Sequence, residues 1–141
     1  MPNGYPVLVV DEADGATVTC PDIPEMVMCG DTVEDALAHA HDALVTALSI
    51  YVEDGRSIPD PQPAETLPVV RLSLVENLKL LFHNLIITLR APDGELAEHL
   101  RVSLEELRRL RDPSEDSDPE IVISAMRQLL REQLPVLHAA A

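Results

Sequence analysis

The balance of acidic and basic residues changes at a proline-containing segment near residue 60, and this change limits how the chain can fold. The segment reads Ile58-Pro59-Asp60-Pro61-Gln62-Pro63, and we interpret it as a short linker. Residues 1–62 carry twelve Asp and Glu but a single base, Arg56, whereas residues 63–141 carry thirteen acids and nine bases. The sequence therefore predicts two modules of different chemistry, residues 1–62 and residues 63–141.

Hydrophobic periodicity predicts an α+β fold for the first module. Three short strands are expected at residues 5–12, 16–20 and 26–29, and the apolar period then changes to 3.6 for one long helix at residues 33–51. The expected architecture is a β-β-β-α sheet with one covering helix. An extended apolar segment, residues 67–72, could add a fourth strand, either within its own subunit or by exchange with a second copy.

The second module is predicted to be an all-α bundle that contains a helix-turn-helix. Helices are expected at residues 74–89, 95–100, 104–110 and from Pro119 onward, and residues 93–112 have helix-turn-helix spacing. Four arginines crowd this stretch: Arg101, Arg108, Arg109 and Arg111. We predict that the DNA-binding residues are Arg101, Ser103, Arg108 and Arg109. The alternative is a short helical hairpin with a solvated charged face, because Glu105 and Glu106 would repel phosphates and Arg101 occupies a turn position that usually holds Gly.

Composition excludes several classes of function. The formal net charge of −15 argues against sequence-blind binding of nucleic acid and against attraction to an anionic membrane, and it favours a basic protein partner. Aromatic residues are 2% of the chain, which argues against base stacking. The two cysteines, Cys20 and Cys29, do not form a disulfide framework, and no secretion signal or membrane span is evident. A cytoplasmic protein is expected.

Enzymatic chemistry is not supported by the motifs. There is no Gly-rich phosphate loop, no nucleophile elbow and no Cys–His pattern, and the histidines lack zinc spacing, so neither a cofactor nor a metal is expected. A cluster of acids at Asp11, Glu12 and Asp14 leaves one alternative, a residual metal-dependent nuclease. Nothing nearby in the sequence completes a two-metal site, so we predict that the chain is not an enzyme.

Several turn and cap motifs occur in the order typical of one family. They are Tyr5-Pro6, Asp14-Gly15, Pro21-Asp22-Ile23-Pro24, Gly30-Asp31-Thr32, Glu34-Asp35-Ala36, Glu53-Asp54-Gly55 and Ile58-Pro59. Together they cover roughly residues 4–63, and this region resembles the N-terminal domain of HicB antitoxins. Glu25 departs from the family, which usually has Gly there. The second module is similar, more weakly, to the helix-turn-helix version of the family's C-terminal domain, through Glu95-Leu96-Ala97, Val102-Ser103 and Leu110-Arg111-Asp112-Pro113.

The resemblance implies an antitoxin of a type II toxin–antitoxin system. Its first domain would have a truncated ribonuclease H-like fold without a working active site, and it would bind and block HicA, a small basic ribonuclease. Its second domain would form homodimers or tetramers and repress the operon by binding operator DNA. The acids of the first module that we predict to contact the toxin are Asp11, Asp14, Asp22 and Glu25. The alternative is a stand-alone transcriptional regulator whose HicB-like domain senses another signal or only oligomerises.

Overall fold

The computed structural model describes the backbone of residues 3–140 and the side chains of residues 3–131. The elements in chain order are β1 (Gly4–Pro6), β2 (Leu8–Glu12), β3 (Gly15–Thr19), β4 (Val27–Gly30), α1 (Val33–Glu53), β5 (Val69–Arg71), α2 (Leu74–Leu89), α3 (Asp93–Leu100), α4 (Leu104–Arg111) and α5 (Pro119–Ala140). The predicted α+β fold class is confirmed, since antiparallel strands and one helix come first and several helices follow.

The strands form two small antiparallel sheets, not the single sheet that the sequence predicted. β2, β3 and β4 make a three-stranded sheet, in which Val10 lies opposite Thr17 and Thr17 lies opposite Cys29. β1 pairs instead with β5, so that Tyr5 lies opposite Val70. The predicted fourth strand is therefore present, and it pairs within its own chain.

The predicted first strand, residues 5–12, is divided at Val7. The Val7 N–H donates a hydrogen bond to the Pro68 carbonyl oxygen (2.9 Å), and Val7 is fully buried. Its neighbour Pro6 has no N–H with which to continue a ladder. The chain consequently pairs with β5 before Val7 and with β3 after it.

Helix α1 begins where the sequence predicted, because side chains cap its first turn. Thr32 Oγ1 accepts a hydrogen bond from the Asp35 N–H (3.1 Å), and Asp35 Oδ2 accepts one from the Asp31 N–H (3.2 Å). Carboxylates in this turn also suit the positive end of the helix dipole. The helix ends at Glu53, and Gly55 follows with a left-handed φ of 68°, which glycine adopts without steric cost.

The chain forms two hydrophobic cores, and α2 contributes side chains to both. The first lies between the strands and α1, and it includes Tyr5, Val7, Val18, Ile23, Ala40, Leu44 and Leu48. It also takes Val70, Leu72 and Leu80, which follow the predicted linker. The second lies among α2, α3, α4 and α5, and it includes Phe82, Ile86, Leu107, Leu110, Val122 and Leu129.

Hydrogen bonds hold α2 against the first module. Ser73 caps its N-terminus, as predicted, and Glu76 completes a capping box with it. Glu76 Oε1 is also 2.9 Å from His41 Nε2 of α1. Further along α2, the Asn84 side chain accepts a hydrogen bond from the Ile58 N–H (2.8 Å) and donates one to the Ile58 carbonyl oxygen (3.3 Å). The first residue of the predicted linker is thereby fixed to this helix.

Candidate functional site

Helices α3 and α4 are joined by a three-residue turn, residues 101–103, at the place that the sequence predicted. The Val102 N–H donates to the Ala97 carbonyl oxygen (3.0 Å), which closes the end of α3. Ala97 of α3 and Leu107 and Leu110 of α4 are buried in the second core. This packing fixes α4 with its polar face outward, which is the geometry that a recognition helix needs.

Two of the predicted DNA-binding residues, Arg101 and Ser103, lie in this turn. Arg101 has a left-handed backbone conformation (φ 58°, ψ 41°), which costs a residue with a Cβ atom about 1–2 kcal/mol relative to glycine. Ser103 Oγ accepts a hydrogen bond from the Glu106 N–H (3.0 Å) and thereby caps α4. Both residues are exposed, but the Ser103 hydroxyl is already used in the hydrogen bond that caps α4.

The other two predicted DNA-binding residues, Arg108 and Arg109, lie next to each other on the exposed face of α4. They line a groove of about 700 Å³ that also involves α2 and the end of α1. Arg109 Nη2 is 3.2 Å from Glu105 Oε1, but both side chains are mostly exposed, so this ion pair stabilises little. Arg101 lines a different cleft, against Gln128. The structure thus brings Arg108 and Arg109 together and separates Arg101 from them.

The groove beside α4 carries charges of both signs. Its arginines are Arg90, Arg108, Arg109 and Arg111, and its acids are Glu53, Asp93, Glu105, Asp112 and Glu115. A phosphate placed deep in the groove would meet carboxylates as well as guanidinium groups. The exposed arginines at its border are therefore better placed for DNA than its interior.

Arg111, the fourth arginine of the cluster, is buried with 5% of its surface exposed. Its Nε and Nη2 atoms lie 3.1 and 3.0 Å from His83 Nδ1, and its Nη1 donates to Asp93 Oδ1 (3.0 Å). This structural role was not predicted from the sequence. Helical spacing offered a signal, because Arg111 falls on the same face as Leu107 and Leu110.

His83 connects this buried arginine to the first module. Because a guanidinium group can only donate, His83 Nδ1 must accept, and Nε2 carries the proton that is donated to the Arg56 carbonyl oxygen (2.7 Å). Burial lowers the pKa of the imidazole, and the positive charge of Arg111 acts in the same direction. The neutral form of His83 is therefore the one that this arrangement stabilises.

The free energy of unfolding should fall as the pH drops below about 6.5 because of His83. Its folded-state pKa is below the unfolded value of 6.5, so the unfolded chain binds more protons in this range and acid favours unfolding. Urea titrations between pH 7 and pH 5 would measure the effect. His41 acts in the opposite sense, since its hydrogen bond to Glu76 raises its pKa. The comparison with His83→Gln isolates the His83 contribution, and an unchanged pH slope in that variant would contradict the prediction.

Lys79 is fully buried and organises the segment that follows α4. Its Nζ donates to the carbonyl oxygens of Arg109 (2.9 Å) and Asp112 (3.0 Å), and also to that of Glu115. Burial lowers the pKa of Lys79, and the charges of Asp112 and Glu115 oppose this effect. Asp112 Oδ1 in turn accepts a hydrogen bond from Ser49 Oγ of α1 (2.7 Å). Lys79 thus ties the end of the candidate DNA-binding helix to the rest of the molecule.

The four acids predicted to contact a toxin lie at two ends of the three-stranded sheet. Asp11 and Asp14 are exposed at the β2–β3 hairpin, whereas Asp22 and Glu25 lie in the β3–β4 connection. The length of β3, roughly 13 Å, separates the two pairs. The first pair therefore forms one acidic end of the sheet and the second pair the other.

The two acids in the β3–β4 connection are engaged by other parts of the chain. Asp22 Oδ2 accepts a hydrogen bond from the Gln62 N–H (3.1 Å). Glu25 accepts one from Tyr51 Oη (3.0 Å) and lies 3.8 Å from Arg56 Nη1. These contacts hold the connection against α1 and the linker.

No group of three or more His, Cys, Asp or Glu side chains among the described residues has an arrangement that could hold a metal ion. The acids at Asp11, Glu12 and Asp14, considered above for a nuclease, do not form such a group. Of the helices that the structure describes, none is both long and apolar enough to cross a membrane.

Comparison with known proteins gives matches over most of the chain. Residues 4–81 match the model of a family described as HicB_like antitoxin of bacterial toxin-antitoxin system. Antitoxin HicB of Pseudomonas fluorescens (strain Pf0-1) is 38% identical over 138 residues, which are 96% of this chain and 94% of that protein. Antitoxin HicB 2 of Photorhabdus laumondii is 37% identical over 126 residues, with 89% of each chain covered. Antitoxin HicB of Escherichia coli K12 is 33% identical over 108 residues, 75% of this chain and 78% of that protein.

The names of these relatives describe a non-enzymatic role, which agrees with the prediction that the chain is not an enzyme. The family match begins at β1 and extends through β5 into α2. The two longest alignments also include α3, α4 and at least part of α5, because they cover nine tenths of the chain.

Proposed function

The chain belongs to the HicB-like antitoxin family, and from this premise we propose that it neutralises a small basic ribonuclease of the HicA type by direct binding. We further propose that it represses its own operon through α3 and α4, and that it acts in the cytoplasm. The observation that carries the proposal is the similarity to proteins named Antitoxin HicB along almost the whole chain.

Charge supports the toxin-binding part of the proposal. The first 62 residues carry twelve acids and one base, and that base, Arg56, lies near the carboxylates of Glu25 and Asp54 at 3.8 and 3.5 Å. A surface of this kind attracts a basic protein and speeds the encounter. It also competes with RNA, since both present negative charge to the same basic surface of the ribonuclease.

The turn between α3 and α4 and the exposed arginines of α4 support the operator-binding part. A single subunit with a net charge of −15 is repelled by DNA, so binding should depend on two linked subunits that contact paired half-sites. We therefore propose that the working form is a homodimer or a tetramer built from two dimers.

Co-expression with the product of the neighbouring gene tests the proposal directly. We expect a basic chain of about 60 residues to co-purify with this one and to lose its ribonuclease activity in the complex. If no such chain binds while the promoter fragment is still retained in a gel shift, the stand-alone regulator is the correct reading. If neither binds, the proposed function is wrong.

Replacing Arg108 or Arg109 with alanine should weaken retention of the operator fragment about ten-fold each, because each arginine can reach a phosphate or a guanine edge. Both side chains are exposed, so the urea midpoint should not change. Arg127→Ala, at an exposed position of α5, is the matched control in the same gel shift. Equal retention by all variants would mean that the arginines of α4 only solvate the helix.

A further inference from the structure

The outer face of the β2–β3–β4 sheet is apolar although no part of the described chain covers it. Side chains alternate between the two faces of a strand, and those that point away from α1 include Leu8, Val10 and Val27. Their exposed fractions are 44%, 50% and 55%. An antiparallel sheet covered on one face normally presents polar residues on the other, so these three side chains require an explanation.

The strand register places the exposed apolar residues in one patch, with threonines of the central strand between them. Leu8, Thr19 and Val27 form one cross-strand row, and Val10, Thr17 and Cys29 form the next. We define these six residues as the outer patch. Three strands and two rows span roughly 10 by 7 Å.

Acids border the outer patch at one end of the sheet. Glu12 follows Val10 on the same face, and Asp14 and Asp31 lie at the same end of the sheet, where Gly30 pairs with Ala16. The single base of residues 1–62, Arg56, stacks on the Tyr51 ring (3.9 Å to its centre) and contacts carboxylates elsewhere.

We infer that the outer patch and its acidic border form the surface that docks the toxin, and that the toxin presents an apolar spot surrounded by Lys or Arg. This inference rests on the proposed function and specifies where it occurs. A second copy of this chain is a poor occupant, because it would bring two acidic borders together on chains with a net charge of −15 each. A basic partner would bury Val10 and Val27 and would also neutralise the acidic border.

The test is the affinity of the full-length chain for the basic protein encoded in the adjacent reading frame, in an inactivated form of that protein that is not toxic. We expect Val10→Ser and Val27→Ser to weaken binding about ten-fold each, as for apolar residues at an interface centre. Ile50→Ser is the matched control, because Ile50 is 41% exposed but lies on α1, on the other side of the sheet. Calorimetric titration measures all three, and the urea midpoint checks that each variant is folded.

A charge reversal examines the border separately. Glu12→Lys should weaken toxin binding about ten-fold and should slow association more at low salt than at high salt. Asp42→Lys makes the same change of charge on α1, where the Asp42 side chain is 87% exposed, and should have little effect.

The outcomes distinguish this inference from the proposed function. If the unmodified chain does not bind the basic protein, the proposed function fails and the inference fails with it. If the unmodified chain binds and the valine variants bind equally well, the inference is wrong and the function stands. If the valine variants instead dissociate an oligomer in size-exclusion chromatography and keep full affinity for the toxin, the patch is a contact between copies, and the inference is overturned.

Discussion

Lys79→Met should lower the free energy of unfolding by about 3 kcal/mol, although methionine fills nearly the same volume. The ammonium group donates to three carbonyl oxygens in the segment after α4, and all three would lose a buried donor. Replacing a buried charge with an apolar group can be neutral when its partners are also replaced, but backbone carbonyls cannot be replaced. Urea denaturation followed by circular dichroism would measure the loss.

Replacing an exposed cation with methionine provides the control for Lys79. Arg127→Met removes a cation from the surface of α5 and should alter the free energy of unfolding by less than about 0.5 kcal/mol. Loss of Lys79 should also loosen the Ser49–Asp112 hydrogen bond that joins α1 to the end of α4. If Lys79→Met is as stable as the unmodified protein, water must replace the ammonium group among the carbonyl oxygens.

Gly30→Ala should destabilise the fold by about 2 to 3 kcal/mol, because the first turn of α1 rests directly on this residue. An added Cβ atom would lie 2.6 Å from the Ala36 backbone nitrogen and 2.8 Å from Asp35 Oδ2. Backbone cannot give way as a flexible side chain can, so α1 would have to move away from β4. The buried contacts of Ala36 and Ala40 with the sheet would be lost first.

A second glycine offers a direct comparison with Gly30. Around Gly94, in the first turn of α3, an added Cβ atom would have no neighbour within 4 Å. Gly94→Ala should therefore be neutral or stabilising by up to about 1 kcal/mol, since alanine favours a helix. Thermal or urea unfolding of both variants measures the difference, and equal stability would mean that α1 tolerates the displacement.

The local features of the fold could be predicted from the sequence because they depend on neighbours in the chain. The caps at Thr32, Ser73 and Ser103 begin helices where predicted, and each hydroxyl accepts a hydrogen bond from the N–H three residues later. The 3.6-residue period likewise predicted α1, which buries a continuous apolar stripe.

The features that the sequence did not predict depend on contacts between distant segments. Residues 5–10 form a continuous apolar run, and its pattern does not indicate that the pairing partner changes at Val7 or that Val10 faces outward uncovered. Lys79 and Arg111 belong to a residue class that is usually exposed. Their burial depends on acceptors 30 or more residues away for Lys79 and 18 to 28 residues away for Arg111, and periodicity within one helix cannot indicate such partners.

The course of α2 through both cores determines where this chain can be joined to another. A chimaera that kept only the residues before the linker would lack β5, the pairing partner of β1, and would lack Leu80 of the first core. A junction placed after α2 would instead keep the acidic module complete. It would also keep Phe82 and Ile86, whose side chains could pack against a DNA-binding domain from another protein. A cut beyond Leu89 would therefore be needed to transplant the first module with its core intact.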